Sequence, residues 1–440
     1  MPSLASLFAS PALAAAGRFS RRFALLALAA GPALAAAPAP VTLDDLIDVL
    51  RQQNPQIEQL RQLQVAAQAA VPQALASANP QVGFIQNPIP SSPFRFGASE
   101  GFSYTLTQPF QFPGKKRLAA DIAQDQADIA GTQVDALRVQ LIGQLRATFY
   151  QLLALRHQER INAENIQRLE QIKKISKIRY ANNAAAYVDY LNAQVAQSSA
   201  ENDLFALRRQ IETTRQTLNA LVGRDPATPL EVRGEIPALA SSIRTLGEFN
   251  DLALRLNPQL RGSELQIKAA EKGVEYAKKA YLPDFQIIAT AISNKPPWGA
   301  STDTYGMEFD VILPTWFFQK EKAGVDQARA NLIASRANDT ANRQQILLGV
   351  ASAYNTLEQA RQQVAFLRDR QLPQAQAAWR LAIQNYANNG QAFSDLLLAQ
   401  VNLRSAELGL LQAESAAVQS WASLVAAVGA EADSFELVSH

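Results

Sequence analysis

The chain has 440 residues, 48% hydrophobic and 18% charged, and this composition excludes a generally disordered protein. Its 41 lysines and arginines nearly balance 39 aspartates and glutamates. No strongly basic surface is therefore expected, and nucleic acid is excluded as a partner.

The first 35 residues predict an export signal. Arg18, Arg21 and Arg22 precede the apolar run FALLALAA, a Gly-Pro break and Ala33-Leu34-Ala35. This order is typical of a cleaved signal peptide, and the apolar run is too short to span a bilayer as a helix. Because the sequence has no cysteine, a lipoprotein and a disulfide framework are not expected.

The remaining chain is predicted to be a tandem duplication of about 200 residues. Its expected divisions are a first repeat at 36–222, a linker at 223–245, a second repeat at 246–430 and a tail at 431–440. Asn54-Pro55-Gln56 returns as Asn257-Pro258-Gln259, and Tyr150 is matched with Tyr354. The stretch YANNAAAYVDYLNAQV, which begins at Tyr180, returns as YANNGQAFSDLLLAQV from Tyr386.

Each repeat is predicted to run helix, β-hairpin, long helix, helix. The expected helices are 43–79, 115–180 and 187–222 in the first repeat and 246–282, 320–386 and 393–429 in the second, with β-hairpins at 81–109 and 284–313. The stretch 115–179 has no proline, so its helix would extend roughly 95 Å and requires a coiled coil. A long hairpin in a soluble scaffold would show the same periodicity.

The predicted strands alternate between apolar and polar residues. Phe102, Tyr104 and Leu106 alternate with serine and threonine, and Phe309 and Val311 alternate with Glu308 and Asp310. A sandwich strand could alternate in this way too, but a lipid-facing side and a wet lumen lined by the two acids predict it directly. Four strands per chain cannot close a barrel, whereas three copies would supply twelve.

Aromatic residues at the strand ends predict anchors at the two membrane interfaces. The residues with this expected role are Phe110, Phe112, Trp298, Trp316 and Phe317. The segments QPFQFPG and LPTWFFQ are expected at the periplasmic interface, where a proline ends each strand.

The duplicated plan and the repeated YANN segment resemble the TolC family of outer membrane efflux factors over about residues 42–430. The family pattern falls on Tyr180, Asn183, Asp189, Leu191 and Ala193, and again on Tyr386, Asn389, Asp395, Leu397 and Ala399. Asparagine stands in both copies where glycine is common in the family, and it tolerates the left-handed turn that follows a helix. QPFQFPGKKRLA, from Gln108, resembles the heavy-metal branch.

The resemblance implies a mainly α fold with a membrane β-barrel, completed as a homotrimer with twelve strands on an α-helical tunnel. It implies the exit duct of a tripartite efflux system in outer membrane lipid, docked to a periplasmic adaptor and to an inner-membrane pump of the resistance-nodulation-division type. The duct would be gated and docked at its periplasmic tips, by Tyr180, Asn183, Asp189, Tyr386, Asn389, Gln391 and Asp395.

Two compatible roles are expected for Asp189 and Asp395. Each would be the N-cap of its returning helix, and together they would form a ring of six carboxylates that favours cations in a trimer. Tyr386 is expected to hydrogen-bond Asp189 of the neighbouring hairpin. Gln391 stands where some relatives have arginine, so any such latch is expected to be weaker here.

An enzyme is not expected, because the chain offers no catalytic constellation. Its two histidines are His157, within a predicted helix, and His440. Without cysteine or a glycine-rich loop after a strand, no nucleophile, cofactor cradle or metal site can be named. The alternative function is a periplasmic coiled-coil scaffold or adaptor without a membrane pore.

Overall fold

The computed structural model describes residues 40–87, 101–239, 243–293, 304–388 and 392–431. The predicted export signal, Trp298, Asn389 and Gln391 lie outside these residues.

The described chain is mainly helical, with long helices and four antiparallel strands, as the sequence predicts. The first repeat contains α1 (Leu43–Gln53), α2 (Pro55–Leu75), β1 (Gln81–Asn87), β2 (Gly101–Phe110), α3 (Lys115–Ala181) and α4 (Tyr187–Leu221). The second contains α5 (Leu246–Leu256), α6 (Pro258–Lys279), β3 (Asp284–Ser293), β4 (Thr304–Ile312), α7 (Lys320–Phe366), a π-helical turn (Leu367–Gln371), α8 (Leu372–Ala387) and α9 (Phe393–Val428).

The prediction of single helices over 43–79 and 246–282 is wrong, because each stretch breaks at an Asn-Pro pair. Asn54 is extended, with φ −70° and ψ 121°, and its side chain accepts the N–H of Gln56 at 2.8 Å. Asn257 repeats this at Gln259, at 2.9 Å. Proline disfavours the helical conformation in the residue before it but suits the first position of a new helix.

The expected continuous helix over 320–386 is also interrupted, by the π-helical turn between α7 and α8. Pro373 follows this turn and has no N–H with which to continue an α-helix. The stretch from Lys320 to Tyr386 is also one residue longer than its counterpart from Lys115 to Tyr180. A π-helical turn accommodates one extra residue without breaking the helix.

Burial corrects the alignment of the two repeats. Leu145 and Leu152 of α3 are fully buried, as are Val350 and Leu357 of α7. Matching Leu145 with Val350 and Leu152 with Leu357 places Tyr354 opposite Phe149. The match of Tyr354 with Tyr150 is therefore wrong.

Three hydrophobic clusters hold the helices together. The first contains Leu46, Leu145 and Phe149 of the first repeat, and the second contains their counterparts Phe249, Val350 and Tyr354. The third joins the two repeats near the ends of the long helices, through Leu169, Ile172, Tyr386, Phe393 and Leu396. In the part of the chain that the structure describes, no helix is both long and apolar enough to cross a membrane.

The strands form one antiparallel sheet in the order β1-β2-β3-β4. Its register aligns Val82 with Leu106, Leu106 with Ala289, and Ala289 with Met307, so these residues share one side. We call this side the apolar face; its large side chains are Val82, Phe84, Phe102, Tyr104, Leu106, Phe110, Phe285, Ile287, Tyr305, Met307, Phe309 and Val311.

The opposite side of the sheet is largely polar. It carries Ser103, Thr105, Thr107, Gln286, Thr290, Glu308 and Asp310, together with four isoleucines. The Gln286 side-chain amide donates to the Asp310 carboxylate at 2.6 Å.

An ion pair with a buried lysine links the repeats where the sheet meets the helices. The Lys115 ammonium lies 2.8 Å from the Asp284 carboxylate, and only 9% of the Lys115 side chain is exposed. The same carboxylate accepts the backbone N–H of Phe112 at 2.8 Å. The start of α3 is therefore tied to the start of β3.

We predict that Gly223→Ala destabilises the protein. Gly223 has φ 82°, and an added Cβ would lie 2.6 Å from the Gln53 carbonyl oxygen. The left-handed conformation alone costs about 1–2 kcal/mol for a residue other than glycine. Gly273→Ala is the matched control, because its Cβ would meet no atom within 4 Å and alanine favours a helix by about 0.5–1 kcal/mol. Thermal unfolding in detergent should separate the variants in opposite directions; equal shifts would contradict the packing described.

Candidate functional site at the helical tips

The α3–α4 connection, which we call the first tip, closes on an asparagine turn. Asn183 has φ 57°, and among the described residues no other non-glycine residue has a positive φ. The N–H of Asn183 donates to the Tyr180 carbonyl at 3.0 Å, and that of Ala184 donates to the Arg179 carbonyl at 2.8 Å. This is the pair of bonds that ends many helices on a left-handed residue. The left-handed turn predicted at Asn183 is present.

The N-cap interpretation of Asp189 and Asp395 is wrong. The residues that precede α4 and α9 are Ala186 and Ala392, whose side chains cannot cap a helix. Each aspartate is instead the third residue of its helix, in the first turn. A carboxylate there still interacts favourably with the helix dipole.

Tyr386, at the end of α8 where the second tip (the α8–α9 connection) begins, packs against the end of α3 beside the first tip. It is 1% exposed, and its hydroxyl lies 3.2 Å from the Ser176 hydroxyl of α3. The Arg179 guanidinium carbon lies 4.2 Å from the centre of the Tyr386 ring, and Phe393 packs edge-on with ring centres 5.8 Å apart.

Arg179 links the first tip to the end of α8. It donates one hydrogen bond to the Tyr386 carbonyl and another, at 2.9 Å, to the Ala184 carbonyl. A single guanidinium therefore holds the turn of the first tip against the end of α8.

The electrostatics of Tyr386 bring in Asp189. Burial raises the pKa of the Tyr386 hydroxyl, and hydrogen bonding to Ser176 opposes this shift. The Asp189 carboxylate raises the same pKa further, by its charge and by a hydrogen bond, while the Arg179 charge lowers it. The structure thus brings Tyr386 and Asp189 together within one chain.

The matched tyrosines of the two repeats have different environments. Tyr180 is 47% exposed, whereas Tyr386 is 1% exposed. The Tyr180 ring is tilted against the Tyr187 ring, with ring centres 5.1 Å apart, and Tyr187 stacks with Tyr190 at 5.8 Å. The first tip therefore presents an exposed aromatic surface.

Sequence reasoning missed Arg179 and Ser176. In the second repeat their counterparts are Asn385 and Ala382, so comparing the repeats gives no sign of either role. The available signal for Arg179 was that an arginine directly precedes the repeated tyrosine in only one of the two copies.

The other predicted site residues lie at the sheet and its junction with the helices. Glu308 and Asp310 share the polar side of β4. Phe110, Trp316 and Phe317 are exposed, and Phe112 stacks with Phe285 at 6.3 Å. Within the described ranges, no group of three or more histidine, cysteine, aspartate or glutamate side chains could hold a metal ion.

Comparisons with known proteins place the chain among export proteins. A family model described as "Outer membrane efflux protein" matches residues 46–224 and 250–430. The chain is 25% identical to "Outer membrane efflux protein BepC" of Brucella suis biovar 1 over 314 residues, which cover 68% of this chain and 67% of that one. It is 23% identical to "Cobalt-zinc-cadmium resistance protein CzcC" of Cupriavidus metallidurans over 309 residues, covering 69% and 71%.

Solved structures share the fold. The outer membrane protein VceC from Vibrio cholerae superposes with a TM-score of 0.73 at 19% identity, covering 88% of this chain and 96% of that one.

We predict that Tyr386→Phe weakens the contact between the tips. The substitution keeps the ring and removes the hydroxyl that contacts Ser176, which should cost about 1 kcal/mol. Tyr180→Phe, at the exposed counterpart, should change thermal stability little.

The pH dependence separates these variants further. Because the pKa of Tyr386 is raised from 10.0 in the folded state, the native protein keeps its proton when the unfolded chain loses it. Stability should therefore fall as the pH rises above about 10, and Tyr386→Phe should remove that component. Identical alkaline unfolding curves for wild type, Tyr180→Phe and Tyr386→Phe would contradict the assignment.

Proposed function

The chain belongs to the outer membrane efflux protein family and is an outer membrane efflux channel of tripartite export systems, and from this premise we propose that three copies form one duct. The family consists of transporters rather than enzymes. The duct would be a twelve-stranded barrel in the outer membrane that continues into a periplasmic helical tunnel, and the predicted signal at 1–35 would direct its export.

The observation that carries this proposal is the apolar face shared by all four strands. Val82 is 80% exposed and Met307 is 82% exposed, at opposite edges of the sheet. So much exposed apolar surface on one side of a sheet fits contact with lipid better than contact with water. A soluble scaffold would have to cover this face.

The sheet edges support completion by further copies. Within the described residues, no strand pairs with the outer edge of β1 or of β4. In lipid every backbone N–H and C=O needs a partner, so β4 of one copy would pair with β1 of the next. Twelve strands lie within the range of known membrane barrels. Glu308 and Asp310 would line the lumen.

The strand–helix junctions would lie at the periplasmic membrane interface. Trp316 is 66% exposed and Phe317 is 52% exposed, beside the start of α7. Aromatic side chains favour this interface because their rings are apolar and their edges can meet water. Phe110 and Phe112 would anchor the first repeat in the same way.

The long helices would form the tunnel and the tips its periplasmic mouth. α3 has 67 residues and would extend roughly 100 Å. The aromatic surface of the first tip would dock a periplasmic adaptor, which links the duct to an inner-membrane pump of the resistance-nodulation-division type. Asp189 and Asp395 would place six carboxylates at the mouth of a trimer.

The pump and the adaptor would determine the cargo, since a duct passes what is delivered to it. The sequence identity of the chain to BepC, 25%, is close to its identity to the cobalt-zinc-cadmium resistance protein, 23%. These values do not single out the heavy-metal branch, which stays a prediction. The proposal is tested by adding detergent-purified protein to planar bilayers, where stepwise conductance is expected. Absence of channels from intact trimers would contradict it.

We predict that Phe309→Arg damages assembly and that Glu308→Arg does not. Phe309 belongs to the apolar face, where arginine costs about 2–4 kcal/mol near the membrane midplane. Glu308 faces the proposed lumen, where arginine should fold and change conductance only. Trimer yield in outer membranes measures the difference, and equal losses would mean that the assigned faces are wrong.

We predict that Asp189→Asn and Asp395→Asn reduce cation preference or block by trivalent cations. Each substitution also removes a first-turn charge, which should cost about 0.3–1 kcal/mol of helix stability. Asp48→Asn, at an exposed side chain of α1, removes the same charge away from the tips and should leave selectivity unchanged. If all three variants conduct with wild-type selectivity, the tip carboxylates have no role in ion passage.

A further inference from the structure

The contact between the two repeats within one chain ends in an ion-pair cluster. Glu431 follows α9 of the second repeat and pairs with Arg51 of α1 and with Arg138 of α3, the latter at 2.5 Å. Burial would raise the pKa of Glu431, but hydrogen bonds from the two arginines hold it below its usual value. The end of one repeat is thus fastened to the long helix of the other.

Two of the three members of this cluster, Glu431 and Arg138, have charged counterparts in the opposite repeat. Gly429-Ala430-Glu431 follows α9 as Gly223-Arg224-Asp225 follows α4, and the two glycines have φ of 85° and 82°. Arg138 precedes buried Leu141 in α3 by three residues, and Arg343 precedes buried Ile346 in α7 by the same spacing. Each repeat therefore carries an acid after its last helix and an arginine on its long helix.

Within one chain, this second acid and arginine make other contacts. Asp225 is exposed, and its carboxylate accepts the N–H of Ala227 at 2.8 Å. Arg343 lies 2.8 Å from Asp339 and 2.8 Å from Glu264, and 37% of its side chain is exposed. The counterpart of the Glu431–Arg138 ion pair can therefore form only if Asp225 contacts the Arg343 of another copy of the chain.

The surface of α4 fits the same arrangement. In α9, Glu407 pairs with Arg168 of α3 at 2.8 Å, and Leu411, one turn further along, is 7% exposed. The counterpart of Leu411 in α4 is Phe205, which is 69% exposed. On α7, the counterpart of α3, Leu348 is 70% exposed. Among the described residues, helices α9 and α3 pack together within the chain. Their counterparts α4 and α7 do not, and each of these has a large apolar side chain that stays exposed.

We propose that Asp225 of one copy forms an ion pair with Arg343 of the adjacent copy, and that Phe205 of the first copy is buried against α7 and α8 of the second. This inference rests on the proposed assembly of copies into a duct and names the residues of its helical interface. Because the surface around Asp225 and the surface around Arg343 carry opposite charges, each is expected to bind a second copy of this chain.

Cysteine cross-linking tests the pair directly, because the chain has no native cysteine. The variant Asp225→Cys with Arg343→Cys is treated with a short bismaleimide, since an Arg–carboxylate pair separates the Cβ atoms further than a disulfide spans. We expect covalent dimers and trimers on denaturing gels. The control variant Arg138→Cys with Glu431→Cys should cross-link within one chain and run at the mass of a single chain.

The possible results distinguish a failure of the Asp225–Arg343 ion pair from a failure of the proposed trimeric duct. If native mass spectrometry finds trimers but the Asp225–Arg343 variant yields no multi-chain product, the ion pair is wrong and the duct stands. If only single chains exist, both are overturned.

Charge reversal provides a second measurement that needs no cross-linker. Asp225→Arg should shorten the lifetime of the trimer in warm detergent several-fold, and adding Arg343→Asp should restore it, because the pair is re-formed in reverse. If the double variant dissociates faster than Asp225→Arg alone, the two residues do not face each other.

Discussion

The backbone at the two edges of the sheet is the constraint on which the rest of the proposed assembly depends. The four strands satisfy one another's hydrogen bonds internally, but β1 and β4 each have an outer edge without a partner strand among the described residues. Water could hydrate these edges in a soluble protein, whereas lipid cannot. A sheet whose apolar face spans all four strands therefore needs further copies, and the helices must follow the same symmetry.

Duplication lets one chain supply two similar sectors of such a ring. Thr42 and Thr245 open the paired helices with the same capping box, and Asn54 and Asn257 break them in the same way. Gly223 and Gly429 end the returning helices where a side chain would collide with those breaks. Among the described residues, the repeats differ near the tips. The second has a π-helical turn before α8 and a buried Tyr386, whereas the matched Tyr180 of the first is exposed.

Much of the fold could be predicted from sequence because its signals are local. The alternation in β2 and β4 and the left-handed turn at Asn183 each follow from a few neighbouring residues. The break at Asn54 could have been predicted as well, since proline restricts the residue before it. The π-helical turn depends on a one-residue difference between distant segments, and the roles of Arg179 and Ser176 depend on α8 lying beside α3. The π-helical turn and these two roles depend on tertiary packing, which cannot be predicted from the hydrophobic pattern of one repeat.

The proposed function is a membrane duct made of several copies of this chain. Fractionation of cells, followed by native mass spectrometry of the detergent-extracted outer membrane protein, tests it most directly. We expect a heat-sensitive trimer that is found in the outer membrane and leaves it only with detergent. A single-chain species recovered from the periplasm without detergent would contradict the duct and favour the soluble scaffold.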